Sequence, residues 1–185
     1  MSHVEIPQFS ALPPTEFDVP NSNLHVRLFN DSDADNLLNL AGEDAVQRYV
    51  PWAKRVHDRD AAADTIKSFL SAWDRKVMAR YVIERGGAFV GYCGLWSDQT
   101  PGYYEFGFAM LPDFRGQGIG TRTIAALMEL ARTHMNAAGM VAYIHDTNEA
   151  SRATVTKLGF QPTDEFDDGD RRYIFDFAHG SSSER

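Results

Sequence analysis

Cysteine is nearly absent from this sequence: Cys93 is the only one among 185 residues, so no disulfide can form within the chain. A single cysteine is typical of a protein in a reducing compartment. Cys93 lies in an apolar stretch with no histidine beside it, which favours a small core residue over a nucleophile. No apolar run approaches the ~18 residues of a membrane span, and the first residues lack the basic and apolar regions of a secretion signal. The sequence therefore predicts a soluble, cytoplasmic protein.

Basic residues are also in deficit, since 18 Lys and Arg face 26 Asp and Glu and the formal net charge is -8. Nucleic-acid-binding proteins usually present a basic face, so the charge argues against that class. An acidic protein is better suited to a cationic or amine-bearing substrate. No pair of His or Cys has the spacing of metal ligands, so we expect no metal.

The most informative stretch runs from Tyr104 to Met128. An apolar, aromatic-rich run of strand length leads into Arg115-Gly116-Gln117-Gly118-Ile119-Gly120, and a helical pattern follows at once. Glycines at such a junction allow a tight turn and a close approach of a ligand to the backbone. The free N–H groups at the start of a helix attract anions. We infer a phosphate or pyrophosphate site on residues 115–121; the alternative is a glycine-rich turn without a ligand.

The glycine spacing excludes two familiar phosphate loops. A P-loop needs G-x-x-x-x-G-K-S/T, and no Lys-Ser or Lys-Thr follows these glycines. A dinucleotide-binding fingerprint needs G-x-G-x-x-G with an acidic residue about 20 positions further on. Here the spacing is G-x-G-x-G and no acidic residue ends the next strand at that distance.

Hydrophobic periodicity and turn residues predict a single α/β domain with the order β-α-α-β-β-β-α-β-α-β-β. Residues 1–23 are proline-rich and predict an extended arm, residues 24–178 form the domain, and residues 179–185 form a polar tail. The predicted helices include Asp58–Lys76 and one from Gly118 to about Ala138 that Gly139 terminates. We expect a mixed sheet with helices on both faces, in which the strand after that helix pairs in parallel with the Tyr103–Met110 strand.

This element order resembles the GNAT superfamily of N-acetyltransferases over essentially all of the chain after residue 23. The glycine loop fits that superfamily's Q/R-x-x-G-x-G/A pattern. Further motifs resemble the RimJ/RimL-type members: Tyr49-Val50-Pro51-Trp52, Glu105-Phe106-Gly107-Phe108, Asn148-Glu149-Ala150-Ser151 and Lys157-Leu158-Gly159-Phe160. The resemblance implies a mostly antiparallel sheet whose two parallel strands splay apart, acetyl-CoA as the acyl donor, and no metal.

The resemblance also implies which residues hold the cofactor. The backbone amides of the loop would face the pyrophosphate, and the pantetheine arm would pair with the strand before the loop. Asn148 would hydrogen-bond the same arm. The implied acetyl-CoA-binding residues are Phe108, Met110, Leu111, Arg115, Gly116, Gln117, Gly118, Ile119, Gly120, Thr121, Asn148 and Ser151.

Glu105 is the candidate general base, because a carboxylate among aromatic residues is partly desolvated and its pKa rises. The alternatives are a surface carboxylate on a half-exposed strand and a carboxylate that only orients the substrate. By resemblance, Ser151 is the candidate general acid or thiol contact; it could instead cap a helix. Val155 occupies the place where many members have a tyrosine acid. His145 and His57 remain alternative bases, since an unperturbed histidine has a pKa near 6.5.

The acceptor implied by the resemblance is a primary amine, either a peptide or protein N-terminus or a small amine. Tyr49 and Trp52 are the candidate substrate contacts, together with Glu105, although the segment around them could be a packed loop. A catalytically silent acyl-CoA-binding sensor or scaffold is the alternative function, which the missing tyrosine at Val155 keeps open. A homodimer is a further expectation from the resemblance.

Overall fold

The computed structural model describes residues 7–178. Their strands form one eight-stranded sheet in the order β1-β2-β3-β4-β5-β6-β8-β7. Among these strands only β5 and β6 pair in parallel, which confirms the predicted mixed, mostly antiparallel sheet. The strands are β1 Glu16–Asp18, β2 Leu24–Leu28, β3 Met78–Arg85, β4 Ala88–Ser97, β5 Tyr103–Met110, β6 Gly139–His145, β7 Gln161–Asp167 and β8 Asp170–Asp176.

Five α-helices connect these strands: α1 Ala34–Ala41, α2 Asp44–Tyr49, α3 Arg59–Asp74, α4 Ile119–Thr133 and α5 Glu149–Lys157. The α3 helix starts as predicted, because the Asp58 side chain accepts a hydrogen bond from the Ala61 N–H and caps the first turn. Short 3-10 turns occupy Asp31–Asp33, Pro51–Arg55 and Pro112–Phe114.

Helices cover both faces of the sheet, as the sequence predicts. Side chains alternate along each strand, so one set packs under α4 and α5 and the other under α1 to α3. Tyr104 and Phe106 of β5 belong to the first core, whereas Val82 and Tyr92 belong to the second. Glu105, between two residues of the first core, therefore lies on the α1–α3 face.

The parallel pair β5–β6 is short. Its register joins Tyr103, Tyr104 and Glu105 to Gly139, Met140 and Val141, and no pairing follows beyond Glu105. Both strands nevertheless continue, β5 to Met110 and β6 to His145. The strands thus diverge after Glu105, and their separation opens a gap in the middle of the sheet.

Three features differ from the sequence predictions. Helix α4 ends at Thr133, so Gly139 does not terminate it. Gly139 instead begins β6, where a Cβ atom would overlap the Phe175 carbonyl and the Tyr103 ring. The predicted arm contains the strand β1, and the segment around Tyr49 contains the helix α2. Residues 1–6 of the predicted arm and the predicted tail at 179–185 lie outside the described residues.

Candidate active site

A cavity of about 690 Å³ lies at the divergence of β5 and β6. It reaches from the glycine loop at one end to α2 and the β7–β8 turn at the other. Of the residues predicted to bind cofactor or substrate or to catalyse, the cavity is lined by Tyr49, Trp52, Glu105, Phe108, Met110, Arg115, Gly116, Asn148 and Ser151.

The free edge of β5 offers backbone donors to this cavity. The Leu111 N–H donates to the Val90 carbonyl at 3.0 Å, so the odd-numbered residues of β5 direct their N–H groups toward β4. Because N–H directions alternate along a strand, those of Phe108 and Met110 point to the other edge, into the gap left by β6. Leu111 is a predicted cofactor contact, but its N–H is hydrogen-bonded to β4 and the residue does not line the cavity.

The glycine loop has the backbone conformation that its sequence predicts. Gly116 and Gly118 have φ angles of 73° and 72°, a left-handed region that strains other residues. Gly118 precedes the first turn of α4, and no side chain caps that turn. The N–H groups at this helix start are therefore available to an anion. Gly120 is needed for packing, since a Cβ atom there would lie 3.1 Å from the Phe108 ring.

Three arginines surround the loop, of which the sequence analysis singled out only Arg115. The Arg122 guanidinium donates to the Gln117 carbonyl at 3.0 Å, and Arg85 donates to the Gln117 side-chain oxygen at 2.7 Å. Gln117 also donates to the Asp113 carbonyl, so its amide holds the loop together and does not extend toward a ligand. Arg122 lies in the first turn of α4, and its position just after the glycines was an available signal in the sequence.

Glu105 lies where β5 and β6 part, directly across from Trp96 on β4. Burial raises the pKa of its carboxyl to about 7, and the hydrogen-bonded Trp96 side chain opposes that rise. The nearby Asp98 carboxylate raises the pKa further, while Arg80 lowers it. Glu105 therefore exchanges a proton near neutral pH while it faces the cavity, as a general base must.

The start of α5 forms another wall of the cavity. The Asn148 side chain accepts a hydrogen bond from the Ser151 N–H at 3.2 Å, so Asn148 is the N-cap of this helix. Ser151 lines the cavity one turn into the helix, and its hydroxyl is not the cap. Val155 is fully buried and lines the cavity at the next turn, without a titratable group.

Aromatic residues form the opposite end of the cavity. Trp52 makes edge-on contacts with Tyr92 and Phe69, at 5.1 and 5.8 Å between ring centroids. The Tyr49 hydroxyl lies 3.0 Å from the Thr147 hydroxyl, which joins α2 to the segment between β6 and α5. Tyr49 and Trp52 thus both line the cavity, and their contact with a substrate stays a prediction.

Several residues that line the cavity were not predicted as site residues, because they are distant in sequence and only the fold brings them together. Tyr143 of β6 shares the sheet face of Glu105, and burial together with Asp98 raises the pKa of its phenol. Arg80 of β3 lines the cavity from the other side of Glu105. Carboxylates from the β7–β8 turn also line it: Asp167, Asp168 and Asp170.

The alternative bases are placed differently. His145 lines the cavity, and its Nδ1 accepts a hydrogen bond from the Thr147 N–H at 3.2 Å. His57 is exposed, pairs with Asp58 and lies outside the cavity. Cys93 is fully buried in the core, and burial raises the pKa of its thiol, which makes it inert at neutral pH.

Residues 7–178 contain neither a candidate metal centre nor a membrane-spanning helix. No group of three His, Cys, Asp or Glu side chains in this range could hold a metal ion. None of its helices is long and apolar enough to cross a bilayer.

Comparison with known proteins agrees with this geometry. Residues 23–161 match the sequence profile of a family described as an acetyltransferase (GNAT) domain. In Bacillus subtilis (strain 168), YdaF, provisionally assigned as a ribosomal N-acetyltransferase, is 27% identical over 147 residues, which cover 76% of this chain and 79% of YdaF. A provisionally assigned alanine N-acetyltransferase of ribosomal protein bS18 from the same organism is 28% identical over 81 residues, 44% of this chain and 52% of that protein.

Among solved structures, RimL, the ribosomal L7/L12 α-N-protein acetyltransferase in complex with coenzyme A, superposes with a TM-score of 0.75. The superposition covers 87% of this chain and 97% of RimL at 18% identity. The two proteins therefore share a fold.

Proposed function

The chain belongs to the GNAT acetyltransferase family, and we propose that it transfers the acetyl group of acetyl-CoA to the α-amino group of a peptide or protein. The observation that supports this best is the position of Glu105. Its carboxyl, with a pKa of about 7, faces the cavity where β5 and β6 diverge, on the same strand whose Phe108 and Met110 N–H groups point into the gap.

The residues present fit acetyl-CoA. Gly116 and Gly118 keep the loop free of side chains at positive φ, and α4 begins there without a side-chain cap. Arg85, Arg115 and Arg122 supply positive charge around the same loop, which suits a pyrophosphate. The free edge of β5 offers N–H donors to the amides of a pantetheine arm. When bound, acetyl-CoA supplies an acetyl group activated as a thioester.

In this proposal Glu105 takes a proton from the acceptor amine, directly or through water. An α-amino group has a reference pKa of about 7.7–8.0, so a base with a pKa near 7 suffices for it. A lysine side chain, with a pKa of about 10.4, would need a much stronger base. With acetyl-CoA bound, an N–H group of β5 would donate to the acetyl carbonyl oxygen and stabilise the negative charge that develops there.

We assign to Ser151 the proton donation to the departing thiolate, since its hydroxyl-bearing side chain lines the cavity from α5. With acetyl-CoA and the acceptor bound together, the amine nitrogen would attack the thioester carbon directly, the C–S bond would break, and coenzyme A would leave as its thiol. Cys93, the only cysteine, does not line the cavity and is buried, so the protein offers no thiol to accept the acetyl group.

The names of similar proteins support a protein α-amine as the acceptor. RimL acts on ribosomal protein L7/L12, and the two Bacillus relatives are assigned to ribosomal substrates. A cytoplasmic location, a homodimer and the lack of a resident metal stay predictions.

The test is to incubate the protein with acetyl-CoA and a panel of peptides and small amines, and to measure released thiol. Turnover fastest on peptide α-amines supports the proposal, and intersecting lines in two-substrate kinetics support direct transfer. Acetyl-CoA binding by calorimetry without turnover on any amine would favour the silent sensor or scaffold. Absence of binding would contradict both functions.

A further inference from the structure

Arg80 projects from β3 into an aromatic cage formed by Phe69, Tyr92 and Trp96. Its guanidinium carbon lies 5.2, 5.7 and 4.9 Å from the centroids of these three rings. Arginine over aromatic faces is a favourable arrangement that fixes the guanidinium in place. Arg80 is therefore a positioned charge on the wall of the cavity.

Gly94 makes room for this arrangement. It is the direct partner of Arg80 across β3 and β4, and a Cβ atom there would lie 3.0 Å from the Arg80 Cδ. The same Cβ would lie 3.2 Å from the Trp96 ring. Because Gly94 has no side chain, the aliphatic part of the Arg80 side chain can pack beside the Trp96 ring.

The guanidinium keeps most of its donors unused. Its Nε donates to the Met78 sulfur at 2.9 Å. Within residues 7–178, the two terminal nitrogens of Arg80 make no hydrogen bond, and no carboxylate pairs with them. Arg27, which is also partly buried, pairs with Asp33 and Glu84 instead.

Apart from Arg115 at the glycine loop, the charged side chains on either side of Glu105 in the cavity form two groups of opposite sign. Arg80 and Arg55 line the side toward β3 and the 51–55 turn, whereas Asp167, Asp168 and Asp170 line the side of the β7–β8 hairpin. Glu105 on β5 lies between the two groups, close enough for Arg80 to lower the pKa of its carboxyl. A ligand with a positive and a negative end matches this distribution better than a polycation, which Arg80 would repel.

We propose that Arg80 binds a carboxylate of the acceptor while the acceptor's amine meets Glu105. This inference rests on the proposed function and specifies its substrate class: acceptors that carry a carboxylate close to the reacting amine. Two sources have that chemistry, a peptide whose first residue has an acidic side chain, and a free amino acid with its own carboxylate. In both, the planar guanidinium pairs with the two carboxylate oxygens.

The experiment compares acceptors of matched shape with and without the carboxylate, with each kcat/KM corrected for the fraction of the acceptor amine that is unprotonated. The peptides Asp-Ala-Ala-amide and Asn-Ala-Ala-amide test the side-chain source, and glycine against glycinamide tests the free carboxylate. We expect kcat/KM to favour the carboxylate member of at least one pair by about 10-fold or more, the effect of a charged hydrogen bond. The pair that shows the preference identifies whether the recognised carboxylate belongs to an acidic first side chain or to a free amino acid.

The Arg80→Gln variant should reduce this preference to about twofold or less without changing the KM for acetyl-CoA. Arg80→Lys keeps the positive charge but cannot donate two parallel hydrogen bonds to a carboxylate. This variant should retain part of the preference for the carboxylate acceptor. Arg48→Gln is the matched control, because Arg48 lies over the Tyr49 ring outside the cavity lining. It should keep the full preference.

The outcomes separate the two proposals. Turnover on neutral amines with no preference for a carboxylate, or a preference for spermidine over all carboxylate acceptors, would overturn the Arg80 site and leave the acetyltransferase function standing. A preference that survives in Arg80→Gln would do the same. Because the wild-type comparison needs no variant, a folding defect in Arg80→Gln does not remove the test. No turnover on any amine would contradict the proposed function itself.

Discussion

Glu105 owes its properties to its neighbours in the sheet. It alternates with Tyr104 and Phe106, which are buried in the core under α4 and α5, so its own side chain faces the cavity. Trp96 stands directly opposite, and Asp98 lies close enough to raise the pKa of Glu105. Partial desolvation beside an open cavity gives a carboxyl that both protonates and ionises near neutral pH.

Replacing Glu105 by Gln should lower kcat by about 10²–10⁴-fold, the usual contribution of a general base, with little change in acetyl-CoA affinity. In the wild type, kcat/KM should rise with pH through about 7 as the carboxyl ionises. In the variant that limb should vanish, and only ionisation of the acceptor amine near 7.7–8.0 should remain. Steady-state kinetics from pH 5.5 to 9 checks this, and an unchanged profile would show that Glu105 is not the base.

The same carboxyl should make stability fall as pH rises. Its folded pKa, about 7, lies above its ordinary value of 4.5, so the folded state holds the proton more tightly. The stabilisation is complete below pH 4.5 and is lost as pH rises through 7. Relative to Glu105→Gln, the wild type should lose roughly 2 to 3 kcal/mol between pH 5 and pH 8. Urea unfolding of both proteins at both pH values measures the difference; parallel pH dependences would contradict it.

Ser151 should make a smaller contribution than Glu105. A thiol with a pKa of about 8.5 leaves readily as the anion, so Ser151→Ala should lower kcat by only about tenfold. Tyr143→Phe is the informative comparison, because Tyr143 also lines the cavity, shares the sheet face of Glu105 and has a phenol whose pKa is raised by burial. A greater loss of kcat in Tyr143→Phe than in Ser151→Ala would transfer the acid role to the tyrosine.

At the scale of elements, the strand-loop-helix unit from β5 to α4 combines two tasks. The end of β5 presents N–H groups because β6 diverges, and the start of α4 presents N–H groups because no side chain caps it. Gly120 lets the helix approach the Phe108 and Met110 side chains, which ties the helix start to the strand end. A single rigid unit therefore offers donors to both ends of an extended ligand.

Gly118→Glu should abolish acetyl-CoA binding, since it adds bulk and negative charge at the helix start. The matched control is Gly87→Glu. The φ angle of Gly87 is 83°, comparable with the 72° of Gly118, and a Cβ atom added at Gly87 would have nothing within 4 Å. Backbone strain of about 1–3 kcal/mol should be similar in both. Calorimetric titration with acetyl-CoA should show binding only for the control; equal loss in both variants would mean that strain, and not charge, is responsible.

The sequence was informative about this unit and much less so about the acceptor end. Strand, glycine loop and helix are adjacent in the chain, so local patterns predicted them together, although the end of α4 was predicted too late at Gly139. Arg80, Tyr143 and the Asp167–Asp170 turn meet in the cavity only through the strand order, which no local pattern specifies. Trp52 and Tyr49 were selected for their residue types and lie in the cavity, but their partners could not be read from spacing.

For the whole molecule, the first described residues fold back onto the sheet behind the active site. The Phe9 ring packs 6.0 Å from that of Tyr104, the neighbour of Glu105, and the Ser10 hydroxyl lies 2.8 Å from the Tyr104 hydroxyl. Further along, the Tyr81 hydroxyl donates to the Pro14 carbonyl. The described part of the predicted arm, residues 7–23, thus contributes to the core that supports β5.

Phe9→Ala should therefore lower the free energy of unfolding by about 3 kcal/mol, as expected for a buried aromatic side chain. Phe9 is only 7% exposed, whereas Leu12 of the same segment is 38% exposed, so Leu12→Ala serves as the control and should cost less than about 0.5 kcal/mol. Urea unfolding of the three proteins at one pH measures both changes. Equal, small losses would show that the arm contributes little to the fold. A loss confined to Phe9→Ala would show that the strand bearing Glu105 depends on residues about 95 positions earlier in the chain, which local sequence patterns cannot reveal.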